Sequence, residues 1–465
     1  LGLDPAVARG MTSLETTQAI SAHPAAGGPV ERLAFIKLAP GVTARRALIL
    51  VIVCMIGDLA NLLIPIMQPD ILRDRLRLDP TMYGRVAGML ATVQNVAMIV
   101  SVVFFGTLSD RIGRRPVLVG CFAAMGLVCF LYPFTPSVTA AVLLNFCMGL
   151  GVSGFFAAAG AAVLAYPDDR SRGGWVAMLT VTQRIAASLF IGVLGTRLPR
   201  VLTDMGFSLL VAGGVVFWLL ASICVVAMVL SRVGFDARGR AGAVRSRPMA
   251  EAAALLALVG QVLRHAREQP RFGMLLLLSC AFRADLVVVY TFLSLWVVGA
   301  QRSMGIDGAD AMRTAGSLVV MVTLGNMLST IVCGYFADRM NRSFMLLLAL
   351  GGGGVAFSCP LLVTDTTSWP MFLVAGLIGL SEAISAMATQ TLLGRETPAH
   401  LRGSVTGAYT VIGMLGALAI NSAGGFLFDR VSFVSPFVMV AVINIVCLIV
   451  CVLPGRQSFR SPLSR

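Results

Sequence analysis

The 465-residue sequence has one lysine, Lys37, and three histidines, His23, His265 and His400. A nucleotide-driven pump carries a glycine-rich loop ending in Gly-Lys, whose lysine reaches the phosphates. No such loop surrounds Lys37, so no nucleotide partner is expected. The histidines stand far apart and outside the apolar runs, so their spacing makes no metal set. All ten cysteines fall inside apolar runs and none forms a Cys-x-x-Cys pair. A lipid-embedded thiol acts as a small apolar residue, so neither a disulfide framework nor a zinc site is expected. Charge is scarce too: Asp, Glu, Lys and Arg make up 12% of the chain, against about 25% in an ordinary soluble domain. That composition excludes a soluble enzyme, and no catalytic, cofactor or metal constellation is visible.

What is abundant is apolar. Hydrophobic residues reach 57% and mean hydropathy is +0.87. Runs of bilayer-crossing length fall at about 46–68, 83–106, 116–134, 137–165, 175–196 and 206–231. A second set falls at about 272–299, 313–336, 344–364, 369–392, 403–427 and 433–453. The expected fold is an all-α membrane protein of twelve transmembrane helices in two six-helix halves, 45–231 and 272–455. Residues 1–44 read as a disordered tail, with Met11 a candidate start, and residues 456–465 as a short basic tail. No cleavable signal pattern is present. Residues 232–271 join the halves, and 249–268 read as an amphipathic helix lying on the membrane face. Trp175, Trp296 and Trp369 fall at span ends, where indole prefers to sit.

The net charge of +14 would suit nucleic-acid binding, but the arginines lie mostly in short loops. Of 36 basic residues, 25 lie in the termini and even-numbered loops and 9 in the odd-numbered loops and their edges. That asymmetry places both termini in the cytoplasm, in a multi-pass protein of the cytoplasmic (inner) membrane. One loop departs from it. Residues 70–79 put Arg73, Arg75 and Arg77 on the far side, interleaved with Asp70, Asp74 and Asp79. Its zero net charge reads as a solvated, self-paired loop.

The stretch Gly106-Thr107-Leu108-Ser109-Asp110-Arg111-Ile112-Gly113-Arg114-Arg115 lies between two apolar runs. A weaker copy, Gly334-Tyr335-Phe336-Ala337-Asp338-Arg339-Met340-Asn341-Arg342, follows at an offset of 228 residues. Gly173 and Gly403, after spans 4 and 10, are 230 apart, and Asp58 and Asp285 are 227 apart. The offsets indicate a duplicated six-span unit. The first stretch resembles the cytoplasmic loop between helices 2 and 3 of the major facilitator superfamily, whose pattern G-x-L-x-D-R-x-G-R-R it matches throughout. The resemblance, over about 44–455, implies two pseudo-symmetric bundles and transport by alternating access. It also implies a gating role for Gly106, Asp110, Arg111, Gly113 and Arg114, and for Gly334, Asp338, Arg339 and Arg342. In the second copy Asn341 replaces the second glycine. From the residues themselves, Gly106 and Gly113 would allow close helix approach and a tight turn.

Asp58, Arg184, Arg283, Asp285 and Glu382 lie near the middle of spans. Each ionised group there costs about 2.5–3.5 kcal/mol on insertion scales, so these residues should face a wet cavity or pair. Asn61, three residues beyond Asp58, shares its helical face. Arg283 and Asp285, two apart, point about 200° from each other. The superfamily's helices 1, 4, 7 and 10 line its central cavity, and Asp58, Asp285 and Glu382 fall on three of them. The expected substrate- and proton-binding set is therefore Asp58, Asn61, Arg184, Arg283, Asp285 and Glu382. Burial favours a neutral carboxyl and a nearby arginine a charged one, so Asp58 and Glu382, then Asp285, are candidates for proton exchange.

Two family features are missing. Span 4 reads Asn145-Phe146-Cys147-Met148-Gly149, without the arginine of many proton-dependent members, and span 5 lacks the proline of many drug–proton antiporters. Span 1 ends Leu63-Ile64-Pro65-Ile66-Met67-Gln68-Pro69, similar to that of drug exporters. The expected function is proton-coupled transport of a small organic solute, with efflux of amphiphilic compounds ahead of import of an organic anion held by Arg184 and Arg283. A non-transporting sensor is the remote alternative. The expected partners are solute, protons and lipid, with no nucleic acid and no cofactor, and a monomer is the expected working unit.

Overall fold

A computed structural model describes residues 31–34, 36–168, 171–195, 197–235, 264, 267, 270–336, 342–396 and 402–452. The first half contains α1 (Ala44–Asp70), α2 (Tyr83–Ile112), α3 (Arg114–Leu131), α4 (Val138–Ala165), α5 (Arg172–Leu189) and α6 (Leu209–Gly234). The second contains α7 (Pro270–Ser303), α8 (Gly308–Phe336), α9 (Arg342–Ser358), α10 (Trp369–Glu396), α11 (Arg402–Arg430) and α12 (Ser435–Val452). All twelve are long and apolar enough to cross a bilayer, as a lipid-embedded backbone requires of its hydrogen bonds. Side chains set several starts: the hydroxyls of Thr43, Ser137 and Ser208 accept N–H groups in the first turns of α1, α4 and α6.

The duplication is visible in backbone packing. Gly149 of α4 lies against the carbonyl of Gln94 in α2, where a Cβ would collide. Gly379 of α10 lies the same way against the carbonyl of Val322 in α8. The two glycines are 230 residues apart and the two carbonyls 228, matching the motif offsets. The halves meet mainly along three helix pairs, α2 with α11, α1 with α7, and α5 with α8, and α7 also touches α2.

Several boundaries differ from the sequence reading. The motif residues Gly106–Ile112 belong to α2, whose apolar stripe carries the helix on until Gly113 breaks it. α1 runs past Pro65 and Pro69 into a π-helical turn, Ile71–Arg75, so half of the presumed 70–79 loop is helical. The described residues of 31–44 do not form a disordered tail. Arg32–Leu33 pairs antiparallel with Ile36–Lys37, and Ile36 and Leu38 are buried. The Ala39 N–H donates to the Tyr166 carbonyl and the Asp168 N–H to that of Lys37, strapping the hairpin under α4. Trp175 and Trp296 are buried in the bundle, and only Trp369 is exposed at a helix end. Residues 1–30, 453–465 and nearly all of the 249–268 stretch lie outside the described residues.

Candidate functional site

A cavity of about 410 Å³ lies between the halves at mid-depth. Gly57 positions its first carboxylate: a Cβ there would overlap the Phe155 ring, so α4 packs tightly on α1 while the next residue, Asp58, faces the cavity. Asn61 follows one turn on, and its side-chain carbonyl accepts from Gln94 Nε2 at 2.9 Å. From α5, Arg184 enters beside Gln183, whose Nε2 donates to the Cys54 carbonyl of α1 at 3.3 Å.

The face of α7 is set by helical phase. Arg283, Leu286, Val287, Tyr290 and Thr291 all line the cavity, at the i, i+3, i+4, i+7, i+8 spacing of one stripe. Asp285 points the other way, fully buried, and Asn444 of α12 donates to its Oδ1 at 2.8 Å. Glu382 is also behind the wall, with Asn326 of α8 donating to its Oε2 at 3.1 Å. Four of the six expected residues thus share the cavity, and Asp285 and Glu382 sit in the packed interior of the second half. The sequence reading missed Tyr290, Gln94 and Asn421 as lining residues. The seven-residue step from Arg283 to Tyr290 was the signal for the first.

Arg184 Nη1 donates to the Tyr290 hydroxyl at 3.0 Å and so bridges the halves. The same guanidinium interacts electrostatically with Asp58 and Glu382. Asp58 is the one carboxylate among the described lining residues, against Arg184 and Arg283. The cavity therefore carries an excess positive charge beside apolar walls such as Leu62, Val287 and Met414.

The end of the bundle away from the termini is sealed. The Asp429 carboxylate at the end of α11 accepts the N–H groups of Gly84 (2.7 Å) and Arg85 (2.8 Å) at the start of α2. Gly84 and Gly425 bring the two backbones together where any Cβ would collide. Arg302 of α7 grips both Asp74 oxygens, at 3.4 and 3.2 Å, and lies 3.8 Å from Asp70. Arg200 pairs with Asp310. The hydrogen bond between Arg184 and Tyr290 and the approach of Thr92 to Ser422 add polar contacts between the halves nearer mid-depth.

The motif stretch lies at the opposite end. Gly113 takes φ 93° and ψ 160°, a region essentially reserved for glycine. Gly106 has open space where a Cβ would stand, so it makes no close approach here. Asp110 is exposed, with no ion pair or hydrogen bond among the described residues. Arg111 is exposed at the end of α2 and Arg114 begins α3. Asp338 and Arg339 lie outside the described residues; Gly334 and Arg342 fall in α8 and α9.

The sequence profile described as "Major Facilitator Superfamily" matches residues 48–419 and 300–464. Magnetosome protein MamH of Paramagnetospirillum magneticum is 26% identical over 396 residues, 83% of this chain and 86% of its own. Multidrug resistance protein MdtG of Klebsiella pneumoniae is 28% identical over 173 residues, 37% of this chain and 40% of its own. Among solved structures, the nucleoside transporter NupG superposes with a TM-score of 0.68 at 12% identity, covering 87% of this chain and 98% of that one.

Proposed function

The chain belongs to the Major Facilitator Superfamily, and on that premise we propose that it moves a small amphiphilic organic anion by alternating access. It is an integral multi-pass membrane transporter, not an enzyme. The observation that carries the choice of solute is the pairing of Arg184 and Arg283 against a single lining carboxylate, Asp58. Guanidinium groups suit a carboxylate or sulfonate head, which they grip in a planar fork. The apolar walls suit the body of such a molecule.

Asp58 is the proton-exchanging group of this reading. Arriving solute competes with it for the Arg184 guanidinium, so release of the carboxylate and uptake of a proton are coupled to binding. Glu382 and Asp285, behind the wall, serve as fixed or relaying charges. The excess of arginine in even-numbered loops supports cytoplasmic termini in the inner membrane. The sealed end then faces outward. A proton taken up as the anion binds crosses with it, so an inward proton gradient drives the anion inward; the similarity to MdtG, named for multidrug resistance, favours efflux as the second reading.

The test uses everted and right-side-out vesicles energised by a pH gradient. They are offered naphthalenesulfonates, aromatic carboxylates and lipophilic cations. Gradient-dependent accumulation of the anions in right-side-out vesicles, lost in Arg184→Gln and uncoupled in Asp58→Asn, is expected. Accumulation only in everted vesicles would reverse the direction. Accumulation of cations alone would remove the anion reading.

A further inference from the structure

A second cavity, of about 530 Å³, lies at the sealed end of the bundle between α1, α2, α7 and α11. Three arginines line it, Arg73, Arg77 and Arg302, together with Tyr83, and no carboxylate does among the described residues. The sequence reading expected the Asp and Arg residues of 70–79 to pair among themselves. They do so only in part. Asp70 and Asp74 turn to Arg302 of the other half, and Asp79 is used by Thr81, whose N–H donates to its Oδ1 at 2.9 Å. Arg75 donates to the Phe134 carbonyl, and Arg73 is left 3.8 Å from Asp74. Arg77 has no ion pair or hydrogen bond among the described residues.

Arg77 also occupies a place that favours glycine. Its φ is +50°, and the Leu78 N–H reaches back to the Leu72 carbonyl at 3.1 Å, closing the end of the π turn. Such a left-handed helix-ending position is normally glycine because a side chain is strained there. A guanidinium held in that conformation at the mouth of a positive cavity is a structural cost without an internal partner to offset it. Arg302 is nine-tenths buried, and its Nε has no hydrogen-bond partner.

The remaining wall is apolar. Leu295 and Val298 come from α7, and the Phe428 and Phe433 rings pack 5.1 Å apart. The cavity lies further along the same helices that line the central one. On α7, Leu295 is four residues beyond Thr291, and on α11, Phe428 is seven beyond Asn421. At a rise of 1.5 Å per residue these steps are about 6 and 10 Å.

We propose that this cavity is a second solute site, a vestibule that binds a water-soluble amphiphilic organic anion. The acidic head lies between Arg77 and Arg73, and the apolar body rests on Phe428, Phe433 and Leu295. The solute class agrees with that proposed for the central cavity, but the site is built from other residues and can fail independently.

The test is calorimetric binding of 2-naphthalenesulfonate to the full chain in phosphatidylcholine discs, with 2-naphthylmethylammonium as the cation of matching shape. Arg77→Gly removes the guanidinium while supplying the residue the backbone favours, so loss of binding is not loss of folding. Wild type should bind at two sites and Arg184→Gln at one; in that Arg184→Gln background, sulfonate affinity should fall at least tenfold when Arg77→Gly is added and to background when Arg73→Gln/Arg77→Gly is added. Equal binding of the ammonium, or unchanged affinity in the double variant, would overturn the proposal. Loss in Arg184→Gln would assign the bound anion to the central cavity and overturn it too. Displacement of the sulfonate in phosphatidylglycerol discs would give the site to a lipid head group and overturn the soluble occupant.

Discussion

Arg184 of the first half donates a hydrogen bond to Tyr290 of the second at 3.0 Å, across the floor of the cavity between them. A buried guanidinium that keeps its hydrogen bond to a neutral hydroxyl can turn its charge from a nearby carboxylate such as Asp58 to a solute without losing that bond. The bond joins the two bodies that must move relative to one another. Binding and rearrangement are therefore linked through one side chain.

Tyr290→Phe tests that linkage. It removes the acceptor and leaves the ring in place. Hydrogen bonds to charged groups contribute about 1.5–3 kcal/mol, so turnover should change by about tenfold or more with normal expression. Counterflow in reconstituted vesicles measures it, and wild-type exchange would remove the bridge from the mechanism.

The sealed end depends on backbone contact, so Gly425→Leu should hold it open. A disulfide between Thr92→Cys and Ser422→Cys reports closure, since these hydroxyls lie 3.4 Å apart across the halves. The cross-link should form rapidly in the parent pair and slow markedly when Gly425→Leu is added. An unchanged rate would mean that the glycine contact does not limit closure.

Arg302→Gln attacks the same seal through charge. Its side chain is 9% exposed, and its loss leaves Asp70 without its ion pair and Asp74 with only Arg73, at 3.8 Å. Removing one member of a buried pair costs about 3–5 kcal/mol, against about 1 kcal/mol for an exposed pair. The same cross-link should form more slowly in Arg302→Gln than in Arg200→Gln, whose pair with Asp310 is more exposed.

The two motif glycines should separate in thermal unfolding. Gly113→Ala forces a side chain into a glycine-only conformation, a cost of about 1–3 kcal/mol, whereas Gly106→Ala meets open space. A lower unfolding temperature for the first and an unchanged one for the second are expected. Asp110→Asn should leave that temperature unchanged and slow transport. Unchanged transport would remove the aspartate from gating.

Much of this was legible in one dimension. A continuous apolar run of bilayer length permits only one backbone solution in lipid, so twelve helices followed from composition, and the repeat from offsets near 228. Helical phase was legible as well: a two-residue step had to send Arg283 and Asp285 to different neighbours. Which of them met the cavity was not, because phase is relative until a neighbour fixes it, and α12 fixed it through Asn444. The hairpin at 32–37 was hidden for another reason. Two-residue strands carry no periodic signal, and these are held by hydrogen bonds to Tyr166 and Asp168 at the end of α4, far away in sequence.

The sequence alone therefore determined the membrane fold, its duplication, and the set of charges that lipid would not leave unpaired. The tertiary structure alone decided which charges share a space. It put Asp58, Arg184 and Arg283 around one cavity, sent Asp285 and Glu382 behind its wall, and drew Asp70 and Asp74 to Arg302 of the other half. The reason is geometric. Chain order fixes a residue's depth in the membrane, but only the packing of the two halves fixes what stands opposite it.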